Sequence, residues 1–324
     1  MVKAIVISET GGPEVMKWTD VPVGEPGAGE ARVRHTSVGV NFIDIYFRSG
    51  LYPLPALPAS IGMEAAGIVE AVGEGVDWVA PGDRVAYAGP PPGAYCEARV
   101  MSAMRLVRLP DGVSDDQAAS LMLKGMTAEY LLHRTEPVHK GDTILVHAAA
   151  GGVGLLLCGW ARALGATVIG TTSTPEKAAK AIAAGAHHTI LYGREDVAKR
   201  VREITGDKGV RVVYDGVGRD TFDTSMECLS LRGHMVLFGQ SSGPVSPVDP
   251  ALLAKKSTSL TRPTLFHYAV DRPSIEAISG NVFEALAKGW ISASVDLTLP
   301  LAEAAEAHRA LAARETTGAI VLKP

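Results

Sequence analysis

Cysteine is scarce in this sequence, and the few that occur exclude a disulfide framework. The 324-residue chain contains three cysteines, Cys96, Cys158 and Cys228, which are odd in number and far apart. Disulfide-stabilised domains have dense, paired cysteines, whereas a reducing cytoplasm keeps isolated thiols free. We therefore expect free thiols and a cytoplasmic location.

Charge of either sign is also not in excess. The chain has 31 Lys and Arg residues against 35 Asp and Glu residues, a formal net charge of −4. Proteins that bind nucleic acid or anionic membranes present basic surfaces, and this sequence has no stretch of Arg with aromatic residues. We therefore expect neither nucleic acid nor a membrane as a partner. The apolar fraction of 47% is ample for the two domains that the chain length predicts.

The first residues of this sequence do not have the pattern of a targeting segment. Met1–Ile5 leads directly into a strand-like run, without the charged and apolar regions of a signal peptide, so we expect none. Residues 143–161 contain no Asp, Glu, Lys or Arg, and a stretch of that length could cross a bilayer. Its three central glycines, its histidine and its change from strand-like to helical composition argue against a membrane span.

The most informative stretch is Thr143–Gly154. A short apolar run, Thr143–His147, is followed by the small residues Ala148–Gly152 and then by a helical run that stops at Gly165. A nucleotide-binding βαβ unit begins in this way, because small residues let backbone N–H groups approach a pyrophosphate at the start of a helix. Ala149 occupies the first glycine position of the usual pattern, so an ordinary strand–helix turn stays open as the alternative.

Two patterns of predicted secondary structure divide the chain. Up to about residue 110, short strand-like runs alternate with turns rich in Gly and Pro, which is typical of a compact all-β domain. From residue 141, strands and helices alternate strictly, which predicts an α/β domain with a doubly wound parallel sheet. The strands expected in the first part are Lys3–Ile7, Ala31–Val38, Gly67–Val72, Arg84–Tyr87 and Ala94–Val100. Those expected in the second part are Thr143–His147, Thr167–Thr171, His188–Leu191, Val210–Asp215, His234–Phe238 and Ser257–Thr261.

The helices are predicted from caps and periodicity. Ser114 and Gln117 have the spacing of a capping box, and a separate helix, Met126–Arg134, is expected after Gly125. After about residue 264 the chain is expected to return to the first domain. The other predicted helices are Val153–Leu164, Glu176–Ala184, Asp196–Ile204, Thr221–Leu229, Ser274–Lys288 and Leu301–Ala313, and the closing strand is Gly318–Lys323.

The nucleotide turn carries a family resemblance. Its sequence, Ala-Ala-Ala-Gly-Gly-Val-Gly, resembles the loop of quinone oxidoreductases, the zeta-crystallin-like, zinc-free branch of the medium-chain dehydrogenase/reductase superfamily. Further stretches resemble the same family, in the family's order, from the N-terminal part to near the C-terminus. They are Val40–Asp44, Arg48–Pro53, Glu64–Val69, Gly82–Val85, Tyr214–Gly218 and Thr261–Pro263.

The resemblance implies an architecture and an assembly. It implies a GroES-like β-barrel catalytic domain at 1–123 and 266–324, and a Rossmann dinucleotide-binding domain at 124–265. The family pairs the outer strand of the Rossmann sheet across a two-fold axis. In this chain that strand, Ser257–Thr261, contains neither proline nor charge to blunt an exposed edge, so we expect a homodimer.

An acidic residue is missing where a NAD-binding domain would have one. Such domains hold the ribose hydroxyls with Asp or Glu at the end of the second strand, about 20 residues beyond the glycine loop. Here that place reads Gly170-Thr171-Thr172-Ser173, so nothing repels a 2′-phosphate. Lys177 follows in the first turn of the next helix, where a cation opposes the helix dipole unless an anion lies nearby. A solvated surface lysine is the alternative.

The resemblance favours the phosphate interpretation and hence NADPH as cofactor. In the family a lysine at the place of Lys177 contacts NADPH, and Tyr192 matches a residue beside that phosphate. A strand-end aromatic that covers the sheet is the alternative for Tyr192. The full set of cofactor contacts that the resemblance implies is Asn41, Thr127, Ala150, Gly151, Gly152, Val153, Thr172, Ser173, Lys177, Tyr192, Gly216, Phe238, Gly239 and Gln240.

Zinc ligands are missing as well. A zinc site needs a tetrahedral set of Cys, His or carboxylate ligands. Zinc-dependent relatives have Gly-His-Glu where this chain has Gly62-Met63-Glu64, and a catalytic cysteine where it has Asn41. The four-cysteine lobe of those relatives is absent. His187 and His188 are adjacent, so on a strand they point to opposite faces. We expect no metal.

Hydride transfer by the cofactor is the chemistry that remains, because no Ser/His/Asp or Cys/His nucleophile arrangement is evident. The resemblance implies an NADPH-dependent quinone reductase, with Asn41 near the nicotinamide and the acceptor, and with Tyr46 and Tyr52 lining the acceptor pocket. Asn41 would be a neutral hydrogen-bond donor. The alternatives are that Asn41 caps the following helical turn and that both tyrosines are core aromatics.

Two other functions stay open. Sister branches of the superfamily reduce α,β-unsaturated carbonyls with NADPH on the same two domains. Some zeta-crystallin relatives serve structurally or bind RNA, so a protein that holds NADPH without turnover is the third hypothesis. Gly216 and Gln240 depart from the residues of many relatives, which leaves the local hydrogen bonds open.

Overall fold

The structure is a computed structural model that describes residues 1–313 and 316–324. Chain contacts divide it into two units: a first unit of Met1–Lys124, Ala269–Phe283 and Ala293–Pro324, and a second unit of Gly125–Tyr268 and Glu284–Ser292. The strands are β1 Val2–Ile7, β2 Lys17–Val21, β3 Glu30–Val40, β4 Ala59–Ser60, β5 Glu64–Val72, β6 Arg84–Ala88, β7 Ala98–Ser102, β8 Val107–Arg108, β9 Thr143–Val146, β10 Thr167–Thr172, β11 His188–Leu191, β12 Val210–Asp215, β13 Leu229–Leu237, β14 Ser259–Thr261, β15 Val295–Pro300 and β16 Ala319–Lys323.

The helical segments are equally well defined. The α-helices are α1 Phe42–Ser49, α2 Asp115–Tyr130, α3 Gly152–Ala163, α4 Pro175–Ala184, α5 Val197–Thr205, α6 Phe222–Cys228, α7 Ala251–Ala254, α8 Arg272–Ala287 and α9 Ala304–Ala312. Short 3₁₀-helices lie at Pro13–Val15, Ala103–Arg105, Leu265–His267 and Leu301–Glu303, and a π-helical turn lies at Leu131–Thr135. Among the described residues, no helix is long and apolar enough to cross a membrane.

The first unit is built from two sheets. A seven-stranded sheet has the order β15-β16-β3-β5-β6-β8, with β7 also paired to β3, and a three-stranded sheet has the order β2-β1-β4. The hydrophobic core includes Val33 and Val38 of the long strand β3, Val85 of β6 and Leu322 of β16. Gly39 in β3 has a packing role, because a Cβ there would lie 2.1 Å from the carbonyl oxygen of Ala119.

The second unit contains one six-stranded parallel sheet. Its order is β11-β10-β9-β12-β13-β14, which is the doubly wound order expected from the strict alternation of strands and helices. The apolar residues of the central strands, such as Leu145, Ile169 and Val213, form the core beneath the helices. The prediction of a sixth strand at the edge is confirmed, although it is shorter than expected, since β14 covers only Ser259–Thr261.

The prediction of two helices around Gly125 is wrong. A single helix, α2, passes through Gly125, and the predicted second helix Met126–Arg134 is its C-terminal part and the π-helical turn. An interior glycine costs about 1 kcal/mol relative to alanine, which is less than the burial of neighbours such as Met122 and Met126 contributes. The capping box at the start of α2 is confirmed. The Ser114 N–H donates to Gln117 at 3.0 Å, and the Gln117 N–H donates to the Ser114 hydroxyl at 3.2 Å.

One strand prediction in the first unit also needs correction, and some strands, such as β2, were not predicted. The predicted strand Ala94–Val100 begins only at Ala98, because the preceding residues turn back to β1, where Tyr95 accepts the Ile5 N–H at 2.8 Å. Strand β2 was not predicted, since its sequence Lys-Trp-Thr-Asp-Val has no apolar alternation and lies mostly exposed. The three cysteines are buried free thiols, as the sequence predicts.

Candidate active site

The carboxyl ends of the parallel strands in the second unit bring most of the predicted cofactor residues to one edge of the sheet. Parallel strands end at the same edge, so the segments that follow β9, β10, β11, β12 and β13 are neighbours there. These segments contain the following predicted residues: Ala150, Gly151, Gly152, Val153, Thr172, Ser173, Tyr192, Gly216, Phe238, Gly239 and Gln240. This edge is the place where ligands bind in open α/β sheets.

The small-residue turn after β9 lets helix α3 start directly on the strand end. A Cβ at Gly154 would lie 2.3 Å from the carbonyl oxygen of Ala148 and 2.8 Å from the Cα of Ala149, so only glycine fits. Ala148 itself has a positive φ of 50°. Gly151 is the N-cap of α3 and offers no side chain to satisfy the first N–H groups of the helix. The turn therefore presents unsatisfied backbone donors and the positive end of a helix dipole, which suit a pyrophosphate.

The end of β10 has hydroxyls and a cation rather than an acid. Thr172 is buried, and its Oγ1 has no hydrogen-bond partner among the residues that the structure describes. Thr174 caps α4 by accepting the Lys177 N–H at 3.3 Å, with Pro175 in the first helical position. The Tyr192 N–H donates to the Thr172 carbonyl at 3.2 Å, and the Tyr192 side chain is 49% exposed. The unpaired Thr172 hydroxyl, together with a lysine in the first turn of α4, suits an additional polar, anionic group.

The turns after β12 and β13 are packed against each other. A Cβ on Gly216 would lie 2.9 Å from the ring of Phe238, and a Cβ on Gly239 would lie 2.6 Å from the Gly216 carbonyl oxygen. The Gly239 N–H and the Phe238 N–H both approach the Asp215 carbonyl, at 3.3 and 2.9 Å. These contacts leave no room for a side chain at Gly216, because its Cβ would meet Phe238.

Asn41 in the first unit lies in a buried polar setting. It is the N-cap of α1, as the helix-cap alternative proposes, and its backbone N–H donates to Asp44 at 2.8 Å. Its side-chain Nδ2 makes a different contact, because it donates to Glu64 Oε1 at 2.7 Å. An Asn amide that donates to a carboxylate cannot flip without placing two oxygens against each other. The Asn41 carboxamide is therefore oriented, with Oδ1 turned away from Glu64.

Glu64 is the residue beside Asn41 that sequence reasoning missed. It is fully buried, and it accepts the Leu123 N–H at 2.6 Å and pairs with Lys124 Nζ at 3.0 Å. A buried carboxylate requires such partners, because desolvation without them is costly. The sequence signal that could have found it is an acid at the start of β5, directly before the small residues Ala65–Gly67.

A buried hydrogen-bond chain lies behind the start of α1. Arg48 Nη1 contacts His308 Nδ1 at 3.1 Å, His308 Nε2 contacts the Tyr95 hydroxyl at 2.9 Å, and that hydroxyl donates to Asp44 Oδ2 at 3.0 Å. Arginine can only donate, so His308 accepts at Nδ1 and donates from Nε2. Burial, followed by the charge of Arg48, lowers the pKa of His308 to about 3, which keeps the ring neutral. Every hydrogen bond in this series is therefore donated in the direction of Asp44.

Asp44 itself is an unusual carboxyl group. Burial raises the pKa of Asp44 to about 7, although the hydrogen bonds from Asn41 and Tyr95 act in the opposite direction. Its Oδ2 accepts both of those bonds, whereas Oδ1 has no partner among the described residues. Burial thus favours the neutral carboxyl, and the two donors at Oδ2 favour the ionised one.

The remaining predicted residues fall into two groups. Tyr46 and Tyr52 lie together in the first unit, with ring centroids 5.1 Å apart, and both side chains are partly exposed. They share an aromatic cluster with Phe42 and Phe47. Thr127 was expected at the start of a helix, and this prediction is wrong, because it lies inside α2 with its side chain partly exposed.

A surface cavity beside α6 does not coincide with these residues, and no metal cluster does among the described residues. Within residues 1–313 and 316–324, no group of three His, Cys, Asp or Glu side chains is placed to hold a metal ion. A cavity of about 440 Å³ lies beside α6 in the second unit, lined by residues such as Phe222, Val245 and Leu252. None of the predicted site residues lines it.

Known proteins match the chain over its whole length. Residues 27–143 match the alcohol dehydrogenase GroES-like domain, and residues 152–279 match the zinc-binding dehydrogenase family. A quinone oxidoreductase of Pseudomonas aeruginosa is 51% identical, with 100% of both chains covered. A 2-haloacrylate reductase of a Burkholderia species is 48% identical over 100% of this chain and 99% of its own. The solved quinone oxidoreductase of Escherichia coli, complexed with NADPH, has a TM-score of 0.96 and 45% identity over 99% of this chain and 100% of its own.

The two matched domains define the class, which is a medium-chain dehydrogenase/reductase with a GroES-like domain and a Rossmann domain. Within that class, the chain belongs to the quinone oxidoreductase family. The resemblance read from the nucleotide turn is thereby confirmed, as is the predicted fold class.

The raised pKa of Asp44 predicts a pH dependence of stability. The unfolded carboxyl titrates near its ordinary value of 3.8 and the folded one near 7. Between these values the folded protein retains a proton that the unfolded chain has lost, so the contribution of Asp44 to the unfolding free energy falls as pH rises. Above about pH 7 it is constant.

Asp44→Asn removes this titration. The urea midpoint of the wild type minus that of the variant should be larger at pH 5 than at pH 8. His308 also titrates over part of this range, but it is common to both proteins and drops out of the difference. Asp77→Asn, which removes one exposed negative charge, is the control. If the urea midpoint of the wild type minus that of Asp44→Asn is the same at pH 5 and pH 8, Asp44 is ionised throughout this range.

Proposed function

We propose that the protein is an NADPH-dependent quinone reductase that transfers hydride without a metal. The observation that carries the proposal is the carboxyl edge of the second-unit sheet. A small-residue turn there exposes the start of α3, and the next strand end has Thr172, Ser173 and Lys177 in place of an acid. The P. aeruginosa and E. coli relatives, both quinone oxidoreductases, support the activity, and the E. coli structure, which is complexed with NADPH, supports the cofactor.

The cofactor contacts divide by the chemistry that each segment offers. We assign the pyrophosphate to the backbone of Ala150–Val153, where α3 begins. The 2′-phosphate is assigned to Ser173, Lys177 and Tyr192, with the Thr172 hydroxyl as a further donor. Gly216, Phe238, Gly239, Gln240, Thr127 and Asn41 are assigned to the nicotinamide half.

The acceptor is assigned to residues of the first unit. Asn41, Tyr46 and Tyr52 carry neutral donors, and the two tyrosines lie beside Phe42 and Phe47, which suits a quinone ring and its carbonyl oxygens. The second N–H of the Asn41 amide can donate to a carbonyl as negative charge develops on it. Glu64 holds the first N–H and so fixes the direction of the second.

The chain's own residues bind, orient and donate hydrogen bonds. NADPH, when bound, supplies the hydride, and a quinone is an intrinsically good hydride acceptor. The protein therefore needs no acid of unusual strength at the acceptor. Asn41, Tyr46 and Tyr52 polarise the acceptor and exclude water from the reacting centre.

A second candidate function is the reduction of α,β-unsaturated carbonyls. The 48% identical 2-haloacrylate reductase favours it, because a haloacrylate is an unsaturated carboxylate. Hydride adds to the β-carbon of such an acceptor, and negative charge then develops on the oxygen of its carbonyl group. The same neutral donors could serve it, so the acceptor assay must separate the two functions.

The acceptor is tested by NADPH oxidation with 1,4-benzoquinone, 2-cyclohexenone and 2-chloroacrylate as separate substrates. We expect the highest kcat/KM for the quinone, and no change after dialysis against a strong chelator. Asn41→Ala should lower kcat/KM by on the order of ten- to hundred-fold, as the loss of one oriented donor does. A higher kcat/KM for either unsaturated carbonyl would favour the second candidate. Stoichiometric zinc in the purified protein, with activity lost when that zinc is removed, would refute the metal-free mechanism.

Lys177 is expected to select NADPH over NADH. A charge-assisted contact to the 2′-phosphate contributes roughly 1.5–3 kcal/mol, which is about ten- to hundred-fold in Kd. Lys177→Ala should weaken NADPH by this factor and leave NADH nearly unchanged. Thr172→Asp should go further, because its carboxylate repels the phosphate and can accept from a free ribose hydroxyl.

The matched control is Lys180→Ala, one turn further along α4. Dissociation constants for both cofactors are measured on the three variants and the wild type. If Lys177→Ala weakens NADPH and NADH equally, the contact to the phosphate does not exist. A wild type that prefers NADH would contradict the assignment of the whole strand end.

We further propose that the protein is a cytoplasmic homodimer. The edge strand β14 is short and uncharged, and Leu231 in the neighbouring β13 is 77% exposed. The Arg232 N–H donates to the Lys256 carbonyl at 2.7 Å, which places Leu231 beside the segment that enters β14. An exposed leucine beside an unpaired edge suits burial against a second copy.

Light scattering at micromolar concentration tests the dimer. The wild type should have twice the mass of the chain, and Leu231→Asp should shift the mass toward that of one chain. Ile182→Asp replaces an apolar residue of α4 that is 49% exposed, and it should leave the mass unchanged. A monomeric wild type would contradict the proposal.

A further inference from the structure

Four buried polar side chains in the second unit form a continuous hydrogen-bonded series that the proposed chemistry does not use. Thr171 Oγ1 lies 3.0 Å from His147 Nδ1, and His147 Nε2 lies 2.9 Å from Ser225 Oγ. Ser225 Oγ lies 2.7 Å from Asp215 Oδ2. None of the four residues is more than 3% exposed. We call this series the buried relay.

The direction of each hydrogen bond in the buried relay follows from Asp215. Its Oδ1 accepts the N–H groups of Val217 and Gly218 at 2.7 and 3.0 Å, and its Oδ2 also accepts the Thr221 hydroxyl at 2.7 Å. A carboxylate that already accepts from three other donors is an acceptor only, so Ser225 must donate to it. This carboxylate is thereby stabilised without a cation in the relay.

The tautomer of His147 is then determined. Because the Ser225 proton points to Asp215, the Ser225 oxygen must accept from His147 Nε2–H. His147 Nδ1 carries no proton and accepts the hydroxyl proton of Thr171. Burial lowers the pKa of His147, which keeps the ring in this neutral form. All three hydrogen bonds of the relay are thus donated in one direction, from Thr171 toward Asp215.

The relay is anchored at the ends of three parallel strands. Thr171 lies at the end of β10, and its carbonyl accepts the Ala149 N–H of the nucleotide turn at 3.0 Å. His147 follows β9 directly, and its N–H donates to the Tyr214 carbonyl of β12 at 3.0 Å. Asp215 ends β12 and holds the turn that contains Gly216.

We propose that Thr171, His147, Ser225 and Asp215 are positioning residues that hold the three backbone segments of the dinucleotide site in register. This inference rests on the proposed binding of NADPH at the carboxyl edge. None of the four side chains is assigned to the 2′-phosphate, and the pyrophosphate turn that they anchor serves both cofactors. Loss of the relay therefore weakens both NADPH and NADH, whereas loss of Lys177 weakens NADPH alone.

A purely structural role makes a different prediction. If the relay only fills the core with satisfied polar groups, its loss lowers the melting temperature without a specific change in cofactor affinity. The test therefore needs variants that separate stability from affinity. Thr171→Val removes the hydroxyl and retains the shape, whereas Thr171→Ser retains the hydroxyl and removes a methyl group.

The chain offers a matched control in the same sheet. His234 Nε2 lies 2.7 Å from Thr261 Oγ1, so Thr261→Val also breaks a His–Thr hydrogen bond. His234 pairs with Val212, three residues before the end of β12. This bond lies within the sheet and is not anchored in the turns that follow β9, β10 or β12.

The experiment measures dissociation constants for NADPH and NADH by calorimetry, together with melting temperatures. Thr171→Val should raise both constants by on the order of three- to ten-fold. Thr171→Ser should leave both constants near the wild-type values although its melting temperature falls. Thr261→Val should also leave them unchanged. Ser225→Ala, at the other end of the relay, should reproduce the effect of Thr171→Val.

A second measurement observes the relay without any cofactor. Nitrogen-15 NMR of labelled wild type should show His147 with a proton on Nε2 and none on Nδ1, assigned by the loss of its signals in His147→Gln. The opposite tautomer, or equal constants for Thr171→Val and wild type, overturns the inference. A wild type that binds neither NADPH nor NADH instead refutes the proposed function on which it rests.

Discussion

The close approach of helix α3 to the end of strand β9 is the constraint on which the rest of the second unit depends. A Cβ at Gly154, the third residue of α3, would meet the Ala148 carbonyl oxygen at 2.3 Å. The helix can therefore start this close to the strand only with glycine at position 154. That geometry exposes backbone donors at the sheet edge. The neighbouring strand ends then supply what the turn lacks: a cation after β10 and tightly packed glycines after β12 and β13.

Directed hydrogen bonds fix polar groups in both units by the same logic. In the first unit, Arg48 is a donor at one end of a buried series and Asp44 an acceptor at the other, so His308 and Tyr95 have determined protons. In the second unit, Asp215 accepts from Ser225, and Ser225 in turn accepts from His147. A buried network with one possible direction specifies one arrangement of its backbone anchors. Such specification is useful beside a site that must present small, flexible turns in one conformation.

The sequence predicted those strands and helices whose formation depends on residues close together in the chain. Strand Val210–Asp215 was predicted to the residue, because its centre, Val212–Tyr214, is apolar, as buried parallel strands are. The exposed strand β2 was missed because pairing with β1, and not its own sequence, makes it a strand. The glycine in α2 was misread as a break because burial of its neighbours outweighs its propensity. The contacts of Asn41 with Glu64, and of His147 with Ser225, join residues 23 and 78 positions apart, and no sequence period reports them.

Amide hydrogen exchange of the protein with and without NADPH tests the central claim most directly, which is that the carboxyl edge of the second-unit sheet is the dinucleotide site. Exchange should slow in peptides that cover residues 148–154, 172–177, 216–218 and 238–240. Residues 206–209, which precede β12 at the opposite edge, should exchange at the same rate in both states. Equal slowing at both edges, or no slowing in the first four segments, would contradict the account.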